Sequence, residues 1–468
     1  MITILGEFAA LMPPSLTPGL GRSPTLMAMD GPPIAVVGGG LAGMAAAARL
    51  AKVGHTVDLY ERAGVLGGSW APYELTDGVL VDDAPAVLGF PAPWRDLFRK
   101  SGRPLEAELA RSGRALVPAE LPRLIFADGA TLVLSSNRGE QHATLLRAYG
   151  ASVASRWRDL LDRLDGVWQA LRPHGFEAEL PARARLSRQQ RRQLMRWQTV
   201  ADLADSVRHP HLSALVRSIA YGFGASPEET PALVAVELAT RSTFGRWQIM
   251  PLTAEAALDA GRSSVLVEAL AGRLEQRKVR VRLGTPVTGI HVKAGRVTGI
   301  RTATAELSTG AVVCTTDPWH TVDSLLPAEL AKGMRRRLAR LDAASAPSIR
   351  HLLVEEPTAT VRETTALSAR GVPIISYERP AGERSIRTVH DFENLTSRPS
   401  YGIAWNGFRS FVRRPAVTSE ISGLFQAGPF SPAGAAPSAV VLSAALAASS
   451  CQNYLSSASG RGDRSQLR

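Results

Sequence analysis

Residues 34–43 read Ile34-Ala35-Val36-Val37-Gly38-Gly39-Gly40-Leu41-Ala42-Gly43. Four apolar residues predict a short buried strand, the glycines end it, and the apolar pattern from Leu41 to Val53 predicts a helix. Gly54 stops that helix, and Thr56 to Tyr60 reads as a second strand, so the stretch makes one βαβ unit with a right-handed crossover. Gly38, Gly40 and Gly43 stand in G-x-G-x-x-G spacing. The missing side chains permit a tight turn, close approach of a diphosphate, and packing of helix on strand, and Ala47 continues the small packing face. The helix beginning near Leu41 points unpaired N–H groups and its positive dipole end at the same place. Glu61, at the end of the second strand, is placed to accept both hydroxyls of an adenosine ribose and to repel a 2′-phosphate. The glycine spacing alone is a weak signal; the strand before it, the helix after it and the acid beyond make it specific.

Nicotinamide and flavin dinucleotides share such a unit. Gly67-Gly68 separates them, because a second glycine pair lets the backbone pass close to an extended flavin coenzyme again. From Gly38 to Trp70 the chain resembles the FAD-binding start of the phytoene desaturase and flavin amine oxidase superfamily, and Asp77-Gly78-Val79-Leu80-Val81-Asp82 is similar to the strand that follows. Ala220 to Ala232, Val265 to Val287 and Leu424 to Leu446, with Ala427-Gly428, Pro432, Gly434 and Pro437, resemble further segments of the phytoene desaturase-like branch.

The resemblance implies an α/β protein. A Rossmann-like FAD-binding domain is built from the discontinuous segments 30–95, 240–320 and 395–455, beside a mixed α+β substrate domain from 96–239 and 321–394. It implies non-covalent FAD held at Gly38, Gly40, Gly43, Glu61, Arg62, Gly67, Gly68 and Ser69, by the backbone near Val287 at the adenine, and by Gly428, Pro437, Ser438 and Ala439 at the flavin. Two departures stand out. Ser69 replaces the Arg many relatives carry after the glycine pair, leaving one charge-assisted phosphate contact missing or taken by Arg62. Pro429 replaces the acid that amine oxidases usually place after the closing Ala-Gly, which favours the desaturase-like branch.

Pro437 suits the first turn of a helix, and the unpaired N–H groups behind it would face the flavin ring. The implied chemistry is oxidation, desaturation or isomerisation of a hydrophobic isoprenoid or polyene by hydride transfer to flavin N5, with a dry pocket and no dedicated nucleophile. Alternatives on the same fold are an amine oxidase, a protoporphyrinogen oxidase-like enzyme, or a lipid-binding protein without turnover. No catalytic residue is nominated, and His320 reads as structural. Tyr401, Trp405 and Phe408, and more weakly Trp247 and Tyr221, are candidates for the substrate wall, with core packing as the alternative for each.

The 468 residues allow two to four folding units at roughly 100–200 residues each. An apolar fraction of 45% and a charged fraction of 21% exclude wholesale disorder and a bundle of membrane spans. The formal charge is +12. Only Lys52, Lys100, Lys278, Lys293 and Lys332 are lysines, the other basic residues are arginine, and no base-stacking or groove-reading motif accompanies them, so no nucleic-acid partner is expected. The basic stretch Arg183, Arg185, Arg188, Arg191, Arg192, Arg196, interleaved with Leu186, Leu194, Met195 and Trp197, allows peripheral contact with an anionic membrane through an inserted apolar edge; a solvated helix face is the alternative. Cys314 and Cys451 give neither a metal spacing nor a disulfide framework, so the expected setting is reducing and cytoplasmic. Residues 1–29 read as a disordered leader, with Met27 and Met29 as alternative starts, and 456–468 as a disordered tail. Helical periodicity dominates Trp94 to Ala239, including one run from Ala143 to Leu171. The segments 279–283, 287–292, 297–302 and 311–315 together suggest a β-meander.

Overall fold

The computed structural model describes residues 32–76, 78–180, 186–397 and 401–463. The expected leader, Asp77, Arg183 and Arg185 lie outside them. Strand β1 (Ile34–Val37), helix α1 (Leu41–Lys52) and strand β2 (Val57–Tyr60) form the predicted βαβ unit. With β3 (Arg280–Arg282), β4 (Ala311–Cys314) and β5 (Leu424–Gln426) they build a parallel sheet in the order β3-β2-β1-β4-β5. The order reverses beside β1, so the crevice where ligands settle in open α/β sheets lies between the carboxyl ends of β1 and β4.

All four residues of β1 and of β4 are buried because helices cover one face of the sheet and an antiparallel layer covers the other. Helix α1, rich in alanine and buried on nearly every side, packs between the sheet, helix α2 (Val265–Gln276) and the final helix α3 (Pro437–Asp463). Alanine there costs no side-chain entropy and lets neighbouring backbones approach. Met44 and Leu50, at 0% and 1% exposure, each contribute about 1.5–3 kcal/mol by leaving water. The one acid inside β2, Asp58, takes a bidentate pair from Arg280 of β3 at 2.6 and 2.7 Å, which satisfies the buried carboxylate and fixes the edge strand.

The expected β-meander is smaller than the sequence suggests. Val287–Lys293 and Arg296–Thr302 pair antiparallel and are joined by Glu306–Ser308, whereas 280–282 and 311–314 belong to the parallel sheet. An apolar run such as Ala311-Val312-Val313-Cys314 lacks the alternation of a half-exposed meander strand, and full burial on both faces is what it satisfies.

A six-stranded sheet (345–354, 384–397, 373–381, 362–367, 123–125, 131–133) and a helical layer make up the rest. The 94–239 stretch is not helical throughout, since 114–118, 123–125 and 131–133 are strands. The long helical run breaks at Gly150, whose φ of 83° ends one helix (Arg138–Tyr149) before the next (Ala151–Leu171) begins. Helix α3 runs to Asp463, through the first part of the expected tail. Among the described residues no helix is long and apolar enough to cross a membrane.

In the described part of the basic stretch, Leu186, Leu194 and Met195 are 5%, 0% and 8% exposed and pack inward. The short helix Arg188–Gln193 turns no buried residue inward, and Trp197 is 82% exposed beneath the Arg196 guanidinium.

Candidate functional site

Three glycines of the first turn are glycines for three different reasons. Gly38 has φ of 104°, which a side chain rarely adopts. A Cβ on Gly43 would lie 1.8 Å from the Gly38 carbonyl oxygen, so helix and turn meet only because it is absent. Gly40 needs neither explanation: φ is −74°, ψ is −178°, and a Cβ would meet nothing nearer than the Gly68 Cα at 3.9 Å. The polypeptide leaves a space there that it does not itself require. Gly40 is also the N-cap of α1, whose first turn has no side-chain cap and no acid. The amides behind it keep their donors, and an anion seated at Gly40 would satisfy them.

The second glycine pair lies alongside. Gly67 donates its N–H to the Gly39 carbonyl at 2.9 Å, Gly40 and Gly67 form an isolated parallel bridge, and Gly67 and Gly68 have φ of 112° and 60°. A Cβ on Gly67 would strike Val267 of α2 at 2.8 Å. Ser69 and Arg62 are exposed, and their side chains bond to no described residue.

Glu61 is fixed at the carboxyl end of β2. Its Oε2 accepts the Gly39 N–H at 2.6 Å and its Oε1 the Ala63 N–H at 2.8 Å. Each oxygen keeps a further lone pair, which suits a diol. Thr285 N–H donates to the Glu61 carbonyl at 2.8 Å and Gly284 N–H to that of Ala63 at 2.9 Å, which brings the segment leading into Val287 beside the acid. Val287 itself is 8% exposed.

The closing segment meets the first turn across the crevice. Gly428, with φ of 129°, donates its N–H to Ser443 Oγ of α3 at 2.9 Å, and a Cβ on it would lie 3.9 Å from the Thr315 carbonyl oxygen and 4.0 Å from Ala42 Cβ. Pro437 opens α3, while Ser438 and Ala439 are buried behind it. Ser438 Oγ donates to the carbonyls of Gly89 and Phe90 at 3.0 and 2.7 Å, pinning that turn to the helix start.

The aromatic candidates divide. Trp405 is 4% exposed and packs edge-on to Phe223 and in parallel with Phe411, with Gly434 at its edge. Phe408 meets Phe411, so these two share one helical core, and Tyr401 is partly buried. Trp247 is separate: its Nε1 donates to the Phe244 carbonyl at 2.9 Å and Arg95 lies over its ring.

Sequence reasoning missed a cluster nearer the closing segment. Phe90, held at φ of 50° by the Ser438 anchor, meets Phe244 at 4.5 Å and Trp168 at 5.9 Å, and Trp168 meets Phe176 at 5.3 Å. A positive φ on a bulky residue is strained backbone. Gly175 brings the Phe176 loop against Pro432, where a Cβ would lie 2.8 Å from the proline Cβ. All four rings are partly exposed. They come from four separate segments, and no local motif marks them.

Among the described residues, the buried polar atoms without partners include Ser431 Oγ in the closing segment and Nε and Nη1 of Arg414, whose guanidinium lies over the Trp405 ring. Ser431, with Cys314, Thr316 and Gln426, lines a small open depression at the carboxyl ends of β4 and β5.

The model of the family described as flavin containing amine oxidoreductase matches residues 41–358. The chain belongs to this family. It is 26% identical over 329 residues to the all-trans-zeta-carotene desaturase of Myxococcus xanthus, covering 66% of this chain and 57% of the relative. It is 24% identical over 295 residues to a 4,4'-diaponeurosporene oxygenase of Staphylococcus aureus, covering 58% and 53%. The chain thus spans little more than half the length of these relatives. Among solved structures, an oxidoreductase from Methanosarcina mazei matches with TM-score 0.62 at 15% identity over 88% of this chain and 98% of that one. Cyclohexylamine oxidase from Brevibacterium oxydans matches with TM-score 0.59 at 13% identity over 90% and 99%. Those likenesses are of fold. Family membership brings a flavin cofactor with it, and the open approach at Gly40, the uncapped N-terminus of α1 and the unpartnered Ser431 Oγ in the closing segment fit one.

Proposed function

We propose that this protein is an FAD-dependent oxidoreductase that removes hydride from an apolar isoprenoid or polyene chain. The observation that carries the reading is Gly40, a glycine that neither backbone angle nor packing demands, set at an uncapped helix N-terminus between the Glu61 carboxylate and the second glycine pair. The diphosphate would sit on the amides behind Gly40, the adenosine ribose on Glu61 with the base near Val287, and the flavin end at Gly428 and the start of α3. A bound flavin ring supplies the hydride acceptor.

The protein's own part is to orient the substrate and exclude water. Phe90, Trp168, Phe176 and Phe244 offer a partly exposed aromatic wall beside the closing segment, which suits a conjugated or branched hydrocarbon. The two carotenoid-acting relatives and the absence of an acid at Pro429 point the same way. The discontinuous segments 30–95, 240–320 and 395–455 serve the cofactor, and 96–239 with 321–394 the substrate.

The test is anaerobic mixing of the purified yellow protein with carotenoid precursors in detergent micelles. Bleaching of the flavin together with a lengthened polyene chromophore supports the reading. Flavin that dithionite reduces but no isoprenoid reduces would overturn it in favour of lipid binding without turnover.

A further inference from the structure

Arg414, at the end of the helix Gly407–Arg413, is 3% exposed. Its Nη2 donates to the Ile403 carbonyl at 2.7 Å, and its guanidinium carbon lies 4.2 Å from the centre of the Trp405 ring. Nε and Nη1 are buried without a partner. Arg262, Arg273 and Arg379 are buried as well, but each has a carboxylate beside it: Asp259 and Glu268, Glu108, and Asp82 respectively. Among the described residues none faces Arg414. Burial pulls its pKa down to about 9, so the group remains a cation at neutral pH.

A lone buried charge is costly, and an apolar residue of similar volume would pack there at little loss or with a gain in stability. The fold keeps the cation next to the cofactor end of the molecule. A Cβ on Gly434 would lie 3.4 Å from Cζ2 of the same Trp405, and Gly434 stands between Gly428 and the start of α3. Oxidised flavin is neutral. A bound flavin that accepted two electrons and one proton as hydride would carry one negative charge, with the substrate's second proton leaving to solvent beyond the pocket as its double bond forms.

We propose that Arg414, held on Trp405, is the counter-charge for reduced flavin: a positioning residue that raises the cofactor's reduction potential through the low-dielectric interior without touching substrate. The proposal rests on the flavin end lying at the closing segment. It explains why the guanidinium has no internal anion, since one would cancel its field.

Flavin-loaded wild type, R414M and R414K are compared for midpoint potential against indicator dyes, sulfite affinity, flavin content and Tm. R414M is expected to fold and hold flavin, to show a more negative potential, and to bind sulfite at least about tenfold more weakly. R414K is expected to restore most of both. R414Q provides a second neutral variant should R414M fail to accumulate. Neutral variants with flavin bound, unchanged potential and unchanged sulfite affinity would overturn the proposal and leave Arg414 a structural clamp on Ile403. Absence of flavin from the wild type itself would instead sink the functional reading on which the proposal stands.

Discussion

Gly40→Ala separates a glycine kept for a ligand from one kept for the fold. The added methyl meets nothing closer than 3.9 Å, and φ of −74° with ψ of −178° suits any residue. Apoprotein stability should therefore change by no more than about 1 kcal/mol, with about 0.4–1 kcal/mol in its favour from the restricted unfolded chain. The same methyl occupies the approach to the α1 amides. Losing one charge-assisted hydrogen bond costs about 1.5–3 kcal/mol, so flavin affinity should fall roughly 10- to 100-fold. Gly43→Ala is the control: its Cβ would lie 1.8 Å from the Gly38 carbonyl oxygen, and such overpacking costs about 1–3 kcal/mol whether or not flavin is present. The assay is thermal unfolding of the apoproteins together with flavin titration. A G40A protein with wild-type flavin affinity would refute the placement of the diphosphate. One whose apo form is as unstable as G43A would show that Gly40 is structural.

Glu61→Gln, which keeps one acceptor oxygen and the bulk of the side chain, should fold normally and bind FAD about tenfold more weakly while FMN binding, which has no adenosine, stays unchanged; equal losses for both would contradict the ribose assignment. Phe90→Ala and Trp168→Ala should raise KM for an apolar substrate roughly 2- to 10-fold with flavin content intact, as expected for loss of an aromatic contact, and unchanged steady-state kinetics would remove the cluster from the substrate wall. Burial pushes the Cys451 thiol up to about 12 and leaves it fully enclosed, so at about pH 9 it remains a neutral thiol; a disulfide reagent should modify it only after unfolding, and fast modification of the native protein would contradict the enclosed packing.

The glycine-lined crevice was legible because its parts are local. The turn at Gly38–Gly43, the acid ending β2 and the pair Gly67-Gly68 lie within one βαβ unit and its exit, where spacing along the chain dictates spacing in the fold. The order β3-β2-β1-β4-β5 was not, because β3, β4 and β5 are short pieces drawn from distant segments and their burial on both faces erases the alternation that identifies a strand. How the aromatic candidates pack was not legible for a related reason. Tyr401, Trp405 and Phe408 stand together in the sequence just before the closing segment, and Trp405 turned out to fill a helical core. Phe90, Trp168, Phe176 and Phe244 come from separate stretches of sequence, with Ser438 bonded to the Phe90 carbonyl and Gly175 letting the Phe176 loop approach Pro432. In the basic stretch, Leu186, Leu194 and Met195 join a core that the sequence does not reveal, while Trp197 stays exposed.

The most direct test of the account is titration of deflavinated protein with FAD, FMN and NAD, followed by flavin fluorescence and calorimetry. Saturable binding of one FAD per chain, weaker for FMN, negligible for NAD and weakened roughly 10- to 100-fold in G40A, is the expected result. Failure to bind FAD, or FMN held as tightly as FAD, would contradict it.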